Sequence, residues 1–227
     1  MFKTCAIAAC AIALLTMLAV QADEAPRPDW TQDDTARLQA LALLQSLNAQ
    51  LLSHDSATLT LERWCEAHQL AAPARIAAQR LVDVQKPITE EQRRDLSVSA
   101  SDPIRYRRVR LACGTRVLSE ADNWYVPARL TAAMNQQLDN SDVPFGRVVQ
   151  PLHFQRHTLA ASLLWQPLPE GWEMGVRASG AAASAPMPSQ LLQHRAILTL
   201  PDGTPFSEVV ETYTDQVLAF PVPHLSP

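Results

Sequence analysis

The chain has 227 residues, of which 47% are hydrophobic and 19% charged, and its formal net charge at pH 7 is −4. A chain of this length and composition can bury a substantial core and fits one globular domain. Its acidic balance argues against the basic face with which proteins bind nucleic acid, so we expect no nucleic-acid partner.

The first 22 residues have the pattern of a secretory signal peptide. Lys3 precedes an apolar run over 6–19, and Val20-Gln21-Ala22 fits a small-x-small cleavage site. The run is short for a bilayer-spanning helix, so no membrane span is expected. Cleavage before Cys10, as in a lipoprotein, is an alternative that leaves almost no apolar segment. We predict a signal peptide over 1–22, a flexible leader over 23–32, a single domain over 33–227, and a periplasmic or secreted location.

Two amphipathic helices are predicted after the leader. The first begins near Thr31 or Asp33, and its apolar residues fall at helical spacing: Leu38, Leu41, Leu44, Leu47 and Leu51. The second has Asp55 or Ser56 as its cap, and one face carries Leu61, Trp64, Cys65 and His68. We expect His68 to be a histidine at the edge of the core, not a ligand.

The rest of the chain is dominated by strand signals. Residues 76–84 fit a strand or a helix, and residues 87–96 a loop or a short helix. Strands are predicted over 105–113 and 117–126, with a turn at Gly114-Thr115, before a short helix that opens at Pro127. Residues 148–164 mix strand and helix signals, and residues 165–189 read as an irregular insertion. The clearest motif is a closing hairpin with its turn over 201–204. Helices followed by antiparallel strands indicate an α+β fold.

Few familiar chemistries fit the sequence. It has no G-x-S-x-G, Walker A or dinucleotide motif. His153 and His157 stand four residues apart and could share one helical face, but no Glu or cysteine cluster accompanies them, so we predict no metal site. Cys65 and Cys113 lie beyond the signal peptide and are either a disulfide or two buried thiols, because sequence cannot place their Cα atoms.

Charged residues inside apolar strands are the unusual feature. In "IRYRRVRLACG", Arg107 shares alternate positions with Val109 and Leu111, and a buried arginine is costly unless an anion meets it. In the last strand Glu211 shares a face with apolar neighbours, and Arg156 and Arg195 also lie in apolar segments. These residues predict either a cavity for a small anionic ring with a hydroxyl opposite its carboxylate, or a structural Arg–Glu pair between strands.

Four stretches in order resemble the chorismate pyruvate-lyase family over about 51–214: "LLSHDSAT", "YRRVRLACG" followed by "NWYVP", "VPFGR", and "GTPFSEVVETYT". The resemblance implies an antiparallel β-sheet with helices packed on it, enclosing an internal ligand cavity (the chorismate-lyase-like fold). It implies elimination of pyruvate from chorismate to give 4-hydroxybenzoate, with no metal or organic cofactor.

The resemblance also implies site residues. The carboxylate-binding arginine falls on Arg107 if strand alternation is matched, or on Arg108 by an ungapped count back from Pro127; alternation favours Arg107. The catalytic glutamate near the hydroxyl end of the substrate falls on Glu211, with Glu208 as the lesser candidate. Further substrate-binding candidates are Phe145, Arg156 and Arg195.

Two departures from the family pattern bear on function. Ala57 replaces a methionine near the ligand, and the export signal is unlike cytosolic lyases. Three hypotheses follow: an exported chorismate pyruvate-lyase, a non-catalytic periplasmic binder or sensor of small aromatic or cyclic carboxylates, and a structural protein with paired arginines. A monomer is expected in each case.

Overall fold

The computed structural model describes residues 28–177 and 185–223. The predicted signal peptide and most of the predicted leader lie outside these residues. Within the leader, Trp30 is buried, and its indole Nε1 donates to the carbonyl of Leu218 at 2.8 Å. This end of the leader is therefore packed into the domain.

Five α-helices occur among the described residues. They are α1 (Asp34–Leu52), α2 (Ala57–Ala67), α3 (Glu90–Asp95), α4 (Ala132–Asn140) and α5 (Phe145–Val148). Asp33 caps α1 by accepting from the backbone N–H of Ala36, and Ser56 caps α2 by accepting from that of Leu59. The two predicted amphipathic helices are thus present with one of the predicted caps each.

The strands form one six-stranded antiparallel sheet in the order β1-β2-β3-β6-β5-β4. They are β1 (Ile76–Arg80), β2 (Arg105–Cys113), β3 (Arg116–Tyr125), β4 (Gln155–Leu163), β5 (Gln190–Thr199) and β6 (Pro205–Thr214). Gly114, with φ +58°, makes the tight turn between β2 and β3, a conformation that glycine adopts without steric cost. The predicted closing hairpin is β5–β6.

The main core lies between α1, α2 and one face of the sheet, called here the inner face. Leu44, Leu61, Leu118, Leu192 and Tyr213 are fully buried within it. The α+β class, with an antiparallel sheet and helices packed on it, is confirmed by this architecture.

A disulfide joins Cys65 in α2 to Cys113 at the end of β2, with 6.5 Å between the Cα atoms. The alternative of two free thiols is therefore excluded in this structure. The bond ties the helix layer to the sheet across 48 residues of chain.

Some sequence expectations need correction. Leu38 is 42% exposed, because the buried stripe of α1 runs through Ala36 and Ala40 to the later leucines. His153 and His157 do not share a helical face: His153 ends a 3-10 turn with φ 50°, and His157 lies in β4. The ambiguous segment 148–164 contains both kinds of structure: residues 150–152 form a 3-10 turn, and residues 155–163 pair with β5 as a strand.

Candidate ligand cavity

A cavity opens between the inner face of the sheet and the N-terminal ends of α2 and α5. The space between its lining atoms is about 510 Å³, a figure that includes the open mouth. Its walls are mainly apolar and include Val109, Leu111, Ala121, Phe145, Phe154, Leu198 and Val209. Its polar lining comes from Asp55, Ser56, Thr58, Arg107, Asn123, Arg156 and Glu211.

Strand register explains which side chains meet here. Arg107 on β2 stands opposite Asn123 on β3, which stands opposite Val209 on β6. The next inward-facing row consists of Val109 on β2, Ala121 on β3 and Glu211 on β6. Residues directly opposite in antiparallel strands share a face, so these rows form the floor of the cavity.

Arg107 is a buried cation without an acidic partner among the described residues. It is 6% exposed, and its Nη2 donates to the carbonyls of Ser141 at 3.4 Å and Val143 at 3.2 Å. Its Nε and Nη1 are buried and have no hydrogen-bond partner in the described part of the chain. Burial, with a smaller effect from the charge of Arg80, lowers the pKa of Arg107 from its usual value to about 10. The protein leaves this guanidinium incompletely compensated.

Glu211 lies at the other end of the cavity in a different electrostatic setting. Its Oε2 accepts from Arg156 Nη2 at 2.7 Å and from the hydroxyl of Tyr213 at 3.1 Å. Burial works to lower the pKa of Arg156, but the charge of Glu211, with smaller effects of Tyr213, of the hydrogen bond to Glu211 and of Asp55, outweighs burial, and the pKa is raised. Burial, and then the charge of Glu211, raise the pKa of Tyr213, which keeps the phenol a neutral donor. Both hydrogen bonds fall on Oε2, so Oε1 receives none from the described residues.

Three predicted site residues therefore line the cavity with Arg107: Phe145, Arg156 and Glu211. Phe145 begins α5 and packs its ring on Tyr125 and Phe206, at centroid distances of 5.4 and 6.4 Å. The cavity thus combines one arginine that has no counter-ion among the described residues and one buried ion pair.

Arg108 and Arg195 lie outside the cavity, which corrects the expectation that they contact the same ligand. They belong to a row on the opposite, outer face of the sheet, formed by Arg108, Asp122, Val210 and Arg195. Arg108 pairs with Glu120 at 3.0 Å and with Asp122 at 3.7 Å. The alternation of β2 sends Arg107 inward and its neighbour outward.

Arg195 is the centre of an ion-pair network on the outer face of the sheet. It pairs with Glu208, Glu91 and Asp95, each at 2.8 Å, and so connects β5 to β6 and α3. The hydrogen bond that Arg195 donates to Glu208, followed by the one that it donates to Glu91, raises the pKa of Arg195. Glu208, the lesser glutamate candidate, is fully buried in this outer network, where Gln92 also donates to it at 3.2 Å. Neither residue reaches the cavity.

Sequence reasoning missed Asn123 and the end of α2 as parts of the cavity. The alternation of β3 places Asn123 on the same face as Ala121 and Tyr125, so its inward position could have been predicted from the sequence. Nothing local indicated that Asp55 would accept from the backbone N–H of Arg156 at 3.0 Å, because 101 residues separate them.

Two structural absences apply to residues 28–177 and 185–223. Within these ranges, none of the helices combines the length and apolar character needed to cross a bilayer. The same ranges hold no group of three or more His, Cys, Asp or Glu side chains placed to bind a metal ion.

Comparison with known proteins gives one close relative. No family model matches the chain. It is 54% identical over 208 residues to the uncharacterized protein y4mC of Sinorhizobium fredii, covering 90% of this chain and 87% of that protein. The chain belongs to the y4mC family. The y4mC relationship assigns no activity, so kinship with chorismate pyruvate-lyases stays a prediction.

Solved structures give more distant likenesses. PhnF of Mycobacterium smegmatis is 12% identical with a TM-score of 0.47, covering 77% of this chain and 71% of PhnF. The possible transcriptional regulator YydK of Bacillus subtilis is 18% identical with a TM-score of 0.39, covering 66% of this chain. This chain spans 62% of the length of YydK. At these scores the likenesses support no conclusion about the function of the y4mC family.

Proposed function

We propose that this protein binds a small aromatic or cyclic carboxylate in the cavity and acts as a binder or sensor of it. The observation that carries the proposal is Arg107, a buried guanidinium with free donors and no acidic partner among the described residues. A carboxylate ligand would supply the missing counter-charge, and a charge-assisted, bidentate pair is strong in a water-poor site.

The far end of the cavity supports a ligand with a second polar group. Arg107 and Glu211 lie on β2 and β6, with β3 between them. Strands are about 4.8 Å apart and Glu211 lies two residues further along, so the two backbone positions are separated by roughly 12 Å, a distance over which a six-membered ring with substituents at opposite positions can reach both side chains. Glu211 Oε1 can accept from a ligand hydroxyl, while the apolar walls hold the ring.

The hydrogen bonds of Glu211 suit recognition of a ligand hydroxyl. Arg156 and Tyr213 both donate to its carboxylate, and its neighbour Arg156 is 4% exposed at the side chain. These two donors hold the carboxylate in one orientation. An acceptor that is already fixed in orientation suits recognition of a hydroxyl.

Chorismate pyruvate-lyase activity is the second candidate, favoured by the presence of Arg107 and Glu211 in one cavity. Arg107 would bind the ring carboxylate, and Glu211 would act as a general acid or base near the hydroxyl during elimination of pyruvate. Aromatisation of the ring would drive that reaction, so the protein would mainly orient the substrate.

A single set of measurements separates these candidates. We expect 4-hydroxybenzoate to raise the melting temperature of the purified protein, with no release of pyruvate from chorismate. Pyruvate release at a rate abolished by Glu211→Gln would instead establish the lyase. If 4-hydroxybenzoate does not raise the melting temperature and chorismate is not converted, only the hypothesis of a structural protein with paired arginines remains.

A matched pair of variants locates the ligand. Arg107→Gln should lose the stabilisation by 4-hydroxybenzoate, whereas Arg108→Gln should keep it, because Arg108 is paired on the outer face. Equal loss in both variants would rule out this cavity.

We also propose that the protein is exported and that residues 1–22 are removed. The sequence pattern supports this, and so does the Cys65–Cys113 disulfide, since such bonds persist in oxidising compartments. The mass of the protein recovered from the periplasm or medium should correspond to a chain that begins at Asp23. A full-length chain found in the cytosol would refute export.

A further inference from the structure

Asn123 lies beside the free cation of the cavity. It occupies the middle of β3, directly opposite Arg107 on the same face of the sheet. The side chain is 4% exposed and lines the cavity. A neutral amide and a guanidinium thus lie side by side on the cavity floor.

The orientation of the amide is fixed by Ser207. The hydroxyl of Ser207 donates to Asn123 Oδ1 at 2.5 Å, and Ser207 is fully buried. This hydrogen bond leaves the Nδ2 group as the outward donor. Within the described residues, Nδ2 has no hydrogen-bond partner.

Arg107 and Asn123 therefore both carry buried donors without a hydrogen-bond partner among the described residues. Arg107 contributes Nε and Nη1, and Asn123 contributes Nδ2. Buried donors are nearly always paired in proteins, so a cluster of such donors next to an open cavity points to a ligand with several acceptor atoms. A carboxylate has two oxygens and can accept from both residues.

We propose that Asn123 is a specificity-determining residue that donates from Nδ2 to the same carboxylate that Arg107 pairs with, and that Ser207 positions its amide. This inference rests on the proposed function and deepens it. The subsite carries one positive charge and an added neutral donor, so it selects a planar monoanion over a neutral amide of the same shape.

Asparagine at this position keeps Arg107 available. An aspartate of nearly the same shape would place a carboxylate of the protein against the guanidinium and compete with the ligand. The two acidic residues that line the cavity have partners other than Arg107. Asp55 accepts from the backbone N–H of Arg156, and Glu211 pairs with the side chain of Arg156.

The experiment compares 4-hydroxybenzoate with 4-hydroxybenzamide by calorimetry on the wild-type protein and its variants. The wild type should prefer the acid. Asn123→Ala should weaken binding of the acid by about tenfold, the loss of one hydrogen bond to a charged group. Asn123→Asp should weaken it by at least about a hundredfold and bring the amide to equal or tighter binding.

Stability gives a second readout that does not depend on a ligand. Asn123→Asp should raise the melting temperature without ligand, because Arg107 gains a counter-ion. Asn140→Asp makes the same change of charge at the exposed last residue of α4 and should leave binding unchanged without raising the melting temperature, because it removes a hydrogen bond to Gln136 and places a negative charge at a helix C-terminus. Ser207→Ala should weaken binding of the acid less than Asn123→Ala does.

The outcomes separate this inference from the proposed function. If the wild type binds 4-hydroxybenzoate and both Asn123 variants bind it equally well, the role of Asn123 is refuted while the carboxylate cavity stands. If the wild type binds neither compound, the proposed function fails and this inference fails with it. Should Asn123→Asp not fold, loss of binding in Asn123→Ala with a retained melting temperature still supports the role, and retained binding refutes it.

Discussion

Arg156 Nη2 and Glu211 Oε2 lie 2.7 Å apart, with the two side chains only 4% and 9% exposed. Arg156 belongs to β4 and Glu211 to β6, so the ion pair spans the intervening strand β5. It closes one end of the cavity and ties the edge strand to the centre of the sheet. Because both groups are out of water, each depends on the other for compensation.

Removing one member of this pair should destabilise the protein strongly. Glu211→Gln leaves a buried guanidinium without its counter-charge, and such a loss costs about 3–5 kcal/mol in the free energy of unfolding. The double change Arg156→Met with Glu211→Gln should recover part of that loss, because no unpaired charge remains. Urea unfolding of the single and double variants measures both effects.

An exposed ion pair of the same length provides the control. Arg105 and Asp139 are also 2.7 Å apart, but their side chains are 45% and 47% exposed. Arg105→Gln should change the free energy of unfolding by less than about 1 kcal/mol. Equal effects at both sites would contradict a dominant role for burial.

Arg107 should be retained for function at the expense of stability. Its lowered pKa of about 10 shows that burial disfavours the charged form. Replacing buried ionic groups with apolar side chains of similar volume is often neutral or stabilising by about 1–4 kcal/mol, so we expect Arg107→Met to raise the free energy of unfolding and to abolish carboxylate binding. Thermal unfolding of Arg107→Met beside Arg108→Met tests this, since only the first should be stabilised. A destabilised Arg107→Met would show that the bonds to the carbonyls of Ser141 and Val143 already satisfy the guanidinium.

His194 should make stability depend on pH. It is fully buried, its Nε2 lies 2.8 Å from Asn48 Oδ1, and burial, with a smaller effect of Arg156, lowers its pKa from 6.5 to about 4. Between these values the unfolded chain binds the proton and the folded protein does not. Stability contributed by neutral His194 is therefore present above pH 6.5 and is lost as pH falls to about 4, by a total of about 3 kcal/mol.

The variant His194→Gln isolates this contribution. Unfolding free energies measured at pH 7 and pH 4.5 should differ more in the wild type than in the variant. The same pH dependence in both proteins would assign the effect to other groups.

The disulfide between Cys65 and Cys113 should contribute substantially to stability. It closes a loop with a sequence separation of 48 residues, for which the chain-entropy treatment gives about 4 kcal/mol. The double variant Cys65→Ser with Cys113→Ser should unfold at lower urea concentration, and a reducing agent should lower the midpoint of the wild type but not of the variant. An unchanged midpoint on full reduction would contradict this expectation.

The sequence determined much of the fold because its signals are local. Helix caps at Asp33 and Ser56, alternation along β2 and the turn of the closing hairpin each depend on a few neighbouring residues. The inward position of Arg107 followed from the same alternation, since Val109 fixes which face is buried.

The tertiary structure alone decided which distant groups meet. Arg156 reaches Glu211 across 55 residues of chain, and Arg195 is taken up by carboxylates of α3 about a hundred residues away, at a separation of 104 for Glu91. The chemical types of these side chains were visible in the sequence, but an arginine can pair with any carboxylate that folding brings near it. Strand order and register arise from the packing of the whole sheet. They determine which carboxylate each arginine meets, and they leave Arg107 with no acidic partner among the described residues.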